Sequence, residues 1–312
     1  MSTKRIKIFN YLIPGIIFSL GIFFIISSLF FAGNNLAEDF PQGYHIITPE
    51  VPDYLVFAGE RIPTENYEVK ERIEREFIVN TYWHSATLLA IKRTSRWFPL
   101  IEPILKAYNI PDDFKYLCVA ESYLRNVISP AGATGFWQFM KETGQKYGLE
   151  IRSQVDERYN LEKSTVAACN YLKDAYEMFG TWTMAAASYN MGTNGAENQM
   201  QRQKTNNYYN LVLNEETSRY IARIVALKYI MQNPTKHGFD LKPGELYHPL
   251  KYYEVKLDSS VTDLADFAAL YDINYKILKM YNPWLRENYL NNDEGKNYKI
   301  KLPEKGSIEI IN

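Results

Sequence analysis

Three short segments of this chain carry the residues best suited to chemistry. The first is Leu117-Cys118-Val119-Ala120-Glu121-Ser122, where Phe114, Leu117 and Cys118 share a helical face with Glu121. A carboxyl group set among apolar side chains loses hydration, which disfavours its charged form and raises its pKa. A Glu held protonated near neutral pH can give its proton to a leaving oxygen such as that of a glycosidic bond. The competing reading of this segment alone is a structural Glu paired with Arg or Lys at a helix end. The second segment is the small-residue run Ser129-Pro130-Ala131-Gly132-Ala133-Thr134-Gly135, followed by Phe136, Trp137 and Gln138. Its glycines allow a tight bend and close ligand approach. Ser129 and Gln138 offer neutral hydrogen bonds of the kind that uncharged acetamido sugars accept and donate. The third segment, Ala186-Ala187-Ser188-Tyr189-Asn190-Met191-Gly192, combines small packing residues with Tyr189 and Asn190 at a helix end that Gly192 can close. Singly, the second segment also describes an ordinary turn and the third an ordinary C-cap.

The elements that must position these segments are mainly helical. Val69, Ile73 and Phe77 recur every four residues after a possible cap at Thr64, and the pattern continues through Leu88, Leu89 and Ile91. A second helix is expected over 97–108, ending at Asn109-Ile110-Pro111. A short one follows over 112–122, with Asp112 and Asp113 in its first turn, where the helix dipole favours negative charge. Further helical patterns fall near 137–147, 163–179, 182–190 and 215–232. After Pro249 the pattern changes to a strand at 253–257, two short helices near 262–270 and 274–281, and a last strand at 298–302. The expected class is mainly α, with a small C-terminal βααβ module.

The N-terminus sets the compartment. Lys4, Arg5 and Lys7 precede an uncharged stretch over 8–37, long enough to span a bilayer as a helix. Positive charge before it puts the N-terminus inside, so the body lies outside the cytoplasm, whether residues 1–32 act as a retained anchor or a cleaved signal segment. Four prolines over 33–63 read as an extended linker. In 312 residues, 35 Lys+Arg against 36 Asp+Glu leave a net charge of -1, which offers no basic footprint for nucleic acid. Two cysteines, Cys118 and Cys169, are too few for a disulfide framework, and four scattered histidines show no metal-ligand spacing. Neither a cofactor nor a metal is expected.

Together and in order, the three segments resemble the lytic transglycosylases with a soluble lytic transglycosylase (SLT) domain, in particular their membrane-bound D type. The matched residues are Glu121-Ser122, the run from Ser129 to Met140, Val155-Asp156-Glu157-Arg158, Glu162-Lys163-Ser164-Thr165, Ala187-Ser188-Tyr189-Asn190 and Glu216-Thr217-Ser218-Arg219-Tyr220. The resemblance covers about 65–235. It implies a lysozyme-like helical fold over 64–240 that cleaves peptidoglycan glycan strands between N-acetylmuramic acid and N-acetylglucosamine, leaving a 1,6-anhydromuramic end. It also implies that Glu121 is the general acid that then turns base, and that Ser129 and Gln138 hold the saccharide. Tyr189 would support Glu121 or the acetamido group, Tyr220 would close the groove, and Asn190 would order the local turn. Ser129 follows Glu121 by eight positions where many relatives have nine, and Ser188 stands where many have Ala. The module over 250–305 is similar to a degenerate LysM carbohydrate-binding domain, with Asp258-Ser259-Ser260 in place of Gly-Asp-Thr. The implied partners are glycan strands and, through the N-terminal helix, the membrane. No Asp or Glu lies between Glu121 and Lys141, which suits a one-carboxylate reaction. A hydrolytic muramidase on the same fold and a non-catalytic glycan-binding protein remain the alternatives.

Overall fold

The computed structural model describes residues 46–308, and the chain from Pro49 onward forms one compact unit. It is mainly helical, with two small two-stranded sheets. The first sheet is a hairpin of β1 (Val56–Phe57) and β2 (Glu60–Arg61), turned by Ala58 and Gly59 at φ 51° and 82°. Two successive positive φ values are what a two-residue hairpin turn requires. Leu55, Phe57 and Ile62 are buried around it. The Glu60 carboxylate accepts hydrogen bonds from the Trp182 and Thr183 amides at 2.6 and 2.8 Å. The end of the stretch expected as an extended linker is therefore packed into the body, because its apolar residues find partners there. The expected anchor over 1–32 lies outside the described residues, as does the linker up to residue 45. No helix among the described residues is long and apolar enough to cross a membrane.

Helices α1 (Tyr67–Tyr82) and α2 (His84–Ala107) meet at Trp83. The break falls earlier than the spacing predicts, and α2 runs unbroken through Pro99 and Pro103. No glycine or proline marks the turn at Trp83, so apolar periodicity carries straight across it. The short helix α3 (Phe114–Ser122) begins after Asp112 and Asp113. These two carboxylates form ion pairs, Asp112 with Lys115 at 2.6 Å and Asp113 with Lys228 at 2.8 Å. Only α4 (Lys141–Lys146) forms within the region expected as helix over 137–147. Gln138 at φ 51° takes the preceding residues out of helical geometry.

Next come α5 (Leu161–Phe179) and α6 (Trp182–Met191), whose first turns are capped by the side chains of Asn160 and Thr181. Helix α7 (Thr193–Gln203) has no counterpart in the sequence pattern, since Ala196 is its one buried residue and it shows no apolar stripe. The stretch expected as one helix over 215–232 is divided at Arg219 into α8 (Glu215–Ser218) and α9 (Tyr220–Gln232). Helix α9 packs against α1, α3 and α6, and its Ile224, Val225 and Leu227 are fully buried.

The C-terminal part has the expected βααβ order: β3 (Tyr252–Leu257), α10 (Leu264–Ala269), α11 (Tyr275–Tyr281) and β4 (Tyr298–Pro303). The strands pair antiparallel, from Tyr252 opposite Pro303 to Leu257 opposite Tyr298. Leu264, Leu278, Leu285, Ile300 and Leu302 form a second core, which Val155 and Tyr159 of the body complete. The docking is fixed by main-chain bonds from Asp156 N to Trp284 O at 2.9 Å and from Arg286 N to Gln154 O at 2.8 Å. Tyr298 Oη donates to Glu150 at 3.0 Å.

Candidate active site

Glu121 sits in the last turn of α3, a helix whose other residues from Phe114 to Ser122 are all buried. The chain leaves the helix sharply, with Tyr123 and Leu124 both left-handed at φ 51° and 55°. The hydroxyl of Tyr220, the first residue of α9, donates to Glu121 Oε1 in a short hydrogen bond. Burial pushes the Glu121 carboxyl from the usual 4.5 up to about 7. The Tyr220 hydrogen bond and the charge of Arg223 hold it down against that push, and Glu216 adds a smaller push upward. Burial likewise drives the Tyr220 and Tyr189 hydroxyls well above the ordinary tyrosine value, and the nearby Glu121 charge adds to it in both. Both phenols therefore remain protonated donors across the range in which Glu121 titrates. A carboxyl poised near neutrality beside a neutral donor can give up a proton and take one back.

The segment facing α3 is bound to it through one carbonyl. Phe136 O accepts from Ser122 Oγ at 2.7 Å and from Cys118 Sγ at 3.5 Å. The next carbonyl, Trp137 O, accepts from Tyr189 Oη at 2.8 Å, and the Trp137 indole donates to Thr165 Oγ1 at 2.8 Å. Tyr189 itself packs edge-on against Trp137, Phe139 and Tyr171. Gly135 has φ 85°, and a Cβ there would meet Arg158 O at 2.0 Å, so no other residue fits. Arg158 holds the loop from below its bend. Its Nη1 donates to Gly132 O at 3.2 Å and Phe139 O at 3.1 Å, while Nε and Nη2 grip Asp156 at 3.0 and 2.7 Å.

The structure brings Glu121, Tyr189 and Tyr220 together. The other three expected residues make different contacts. Ser129 Oγ accepts from Ala133 N at 3.0 Å, closing its own loop. The Gln138 side-chain amide donates to Val127 O at 3.0 Å and Gly135 O at 2.7 Å, which fixes its left-handed backbone. Asn190 accepts from Thr217 Oγ1 at 2.7 Å and donates to Glu216 at 3.1 Å, joining α6 to α8. Sequence reasoning did not single out Ser122, Arg158, Glu216 or Arg223 for the roles they have here. Ser122, Arg158 and Glu216 lie inside matched motifs, where helix-end and loop-clamp duties are visible only with coordinates. Arg223 lies one helical turn after Arg219, and only its spacing hints that it shares a face with it.

Residues 100–212 match the family described as the transglycosylase SLT domain, and residues 253–306 match the soluble lytic transglycosylase C-terminal LysM-like domain. The chain is similar to membrane-bound lytic murein transglycosylase D of Escherichia coli strain K12, with 27% identity over 267 residues. The protein of the same description from Escherichia coli O6:H1 matches to the same extent. The match takes in 83% of this chain and 57% of each relative, so the chain corresponds to little more than half the length of the relatives it matches. By these matches the chain carries a transglycosylase SLT domain followed by a LysM-like C-terminal domain, and it is homologous to the membrane-bound lytic murein transglycosylases D.

Proposed function

We propose that this chain is a peptidoglycan lytic transglycosylase in which Glu121 is the single acid and base. The observation that carries this reading is a desolvated carboxyl, poised at about 7, whose direct side-chain partner is the neutral hydroxyl of Tyr220. In the first step Glu121 gives its proton to the glycosidic oxygen between N-acetylmuramic acid and N-acetylglucosamine as the bond to the anomeric carbon breaks. The positive charge left on that carbon is shared with the ring oxygen or met by the sugar's own acetamido group. In the second step the 6-hydroxyl oxygen of the same muramic residue bonds to the anomeric carbon, and its proton passes to the Glu121 carboxylate. The acid is regenerated, no water is consumed, and the product ends in a 1,6-anhydro ring. An attacking group already on the sugar has a large effective concentration over bulk water.

Tyr220 supports the ionised form of Glu121 between the steps, and Tyr189 lines the same site through Trp137. Ser129, Gln138 and Asn190 act by holding the loop and the α6–α8 turn in shape. The other carboxylate whose charge reaches Glu121 is Glu216, an exposed residue already engaged by Asn190. Glu121 alone is therefore left to move protons. The N-terminal charge and apolar run, together with the names of the relatives, support a place in the cell envelope with membrane anchoring through residues 1–32.

The test is mass analysis of fragments released from purified peptidoglycan. Anhydro ends, each lighter by one water than a hydrolysed end, are expected from the wild type and not from Glu121→Gln. Hydrolysed ends would instead support a muramidase.

A further inference from the structure

A cavity of about 370 Å³ opens between the helical body and the βααβ module, and Glu121 is not among the residues that line it. That volume lies in the range of small-ligand sites. Seven of its 22 lining residues are aromatic, Trp97, Phe136, Tyr247, Tyr281 and Trp284 among them. Four cations also line it, Arg93, Arg96, Arg125 and Lys301, against one carboxylate, Glu162. Lys301 is bound to Glu162, which Tyr252 Oη also contacts at 3.2 Å. The three arginines have no carboxylate partner among the described residues. Each spends a donor on a carbonyl: Arg93 on Tyr123 O at 3.3 Å, Arg96 on His248 O at 2.9 Å and Arg125 on Ser122 O at 3.4 Å. Arg96 also stacks over the rings of Trp97 and Tyr247 at 5.8 and 5.3 Å, which occupies its faces but not its N–H edge, and a guanidinium carries five donors, so edge donors remain for a ligand. Burial, with Arg125 beside it, holds the Arg93 guanidinium below its usual pKa, as expected where like charges meet without an anion.

We propose that this cavity binds a short peptide bearing several carboxylates, with its acid groups on Arg93, Arg96 and Arg125 and its body against the aromatic walls. A neutral sugar would leave the guanidinium groups unanswered. A bare inorganic anion would satisfy them but leave the aromatic surface uncovered. A small acidic peptide answers both features, since planar guanidinium forks match carboxylates and rings cover amide and alkyl surface. The peptide can arrive free or attached to a glycan strand, and the chemistry recognised is the same.

The test is calorimetric titration of the full chain with a synthetic Ala-Glu-Glu tripeptide. The same tripeptide with amidated carboxyls, a peptide-free glycan tetrasaccharide and pyrophosphate are titrated in parallel. Saturable binding of the acidic tripeptide is expected, weakened at least tenfold by amidation. Arg96→Gln and, separately, Arg125→Gln should each weaken it roughly tenfold, the scale of one charge-assisted hydrogen bond. Unchanged thermal midpoints would show both variants folded. With Glu121→Gln as the host, the tripeptide linked to a muramic disaccharide is compared with the free one. Tighter binding of the linked form identifies a strand-borne ligand, and equal binding a free peptide. No binding of the tripeptide, binding indifferent to amidation or to both substitutions, or tighter binding of pyrophosphate would overturn the proposal. Because binding is read without turnover, it stands or falls separately from the cleavage reaction.

Discussion

Glu76 and Glu121 are two carboxylates drawn into the same helical body and treated in opposite ways. Glu76, on α1, is 1% exposed and surrounded by cations: Arg75 at 2.6 Å, Arg219 at 2.9 Å and Arg223 at 3.7 Å. Asn80 Nδ2 adds a hydrogen bond at 3.4 Å. Glu121 has a phenol where Glu76 has guanidinium groups. A buried carboxylate among cations is a shared ion-pair partner that ties α1 to α9. A buried carboxyl beside a neutral donor keeps its proton available. Arg223 belongs to both environments, since it pairs with Glu76 and its charge also lowers the Glu121 pKa. The comparison teaches that burial alone does not make an acid catalyst. What matters is whether the fold supplies compensating charge.

The comparison breaks first on function. Glu121→Gln should lower turnover on glycan strands by about 10²–10⁴-fold, the usual contribution of a positioned acid and base, while leaving the fold intact. Near-normal turnover would remove Glu121 from the proposed reaction. It breaks next on stability. Glu76→Ala takes the shared carboxylate from Arg75, Arg219 and Arg223, leaving Arg219 only the exposed Glu215 at 3.3 Å, and should destabilise the protein by about 3 kcal/mol in urea unfolding. A loss under about 1 kcal/mol would mean that the cluster is solvated and not structural.

This contrast also marks what the sequence could tell. The segment around Glu121 was legible because Phe114, Leu117 and Cys118 share its helical face, which points to an apolar setting, while the choice over an ion-paired structural Glu needed the other two segments beside it. The βααβ order was legible through alternation in 252–257 and 298–303. Glu76 was not legible, because its cations Arg219 and Arg223 lie some 140 residues away and meet it only when α9 packs on α1. Ser129 was legible as a loop residue, whereas Gln138 falls in a stretch expected as helix, and neither was legible as a residue whose polar atoms are used within the loop itself. The break at Trp83 and helix α7 escaped notice because one keeps its apolar period and the other has none to read.

Glu121 should also make stability depend on pH. The fold favours the protonated form of Glu121, moving its pKa from 4.5 to about 7. Its favourable contribution is therefore complete below about 4.5 and is lost as pH rises through about 7. Glu121→Gln removes that dependence. The variant should match the wild type near pH 4 and exceed it by about 2–3 kcal/mol at pH 8. Urea midpoints at the two pH values give the difference directly, and a gap that does not grow with pH would place the carboxyl in water.

The smallest effect separates the two groups that hold the Glu121 pKa down. Tyr220→Phe deletes the hydrogen bond to the carboxylate and keeps the ring, so the ionised form loses its support and the pKa rises further. The alkaline limb of kcat/KM, expected near pH 7 in the wild type, should move upward by up to about one unit. Maximal turnover should fall at the same time, because the ionised intermediate state is less well held. Arg223→Gln removes the weaker of the two restraints, so its limb should move the same way but less. It should also cost some stability through Glu76, which Tyr220→Phe should not. A Tyr220→Phe limb that moved downward would mean that the phenol stabilises the neutral acid, reversing the assigned direction of the short hydrogen bond.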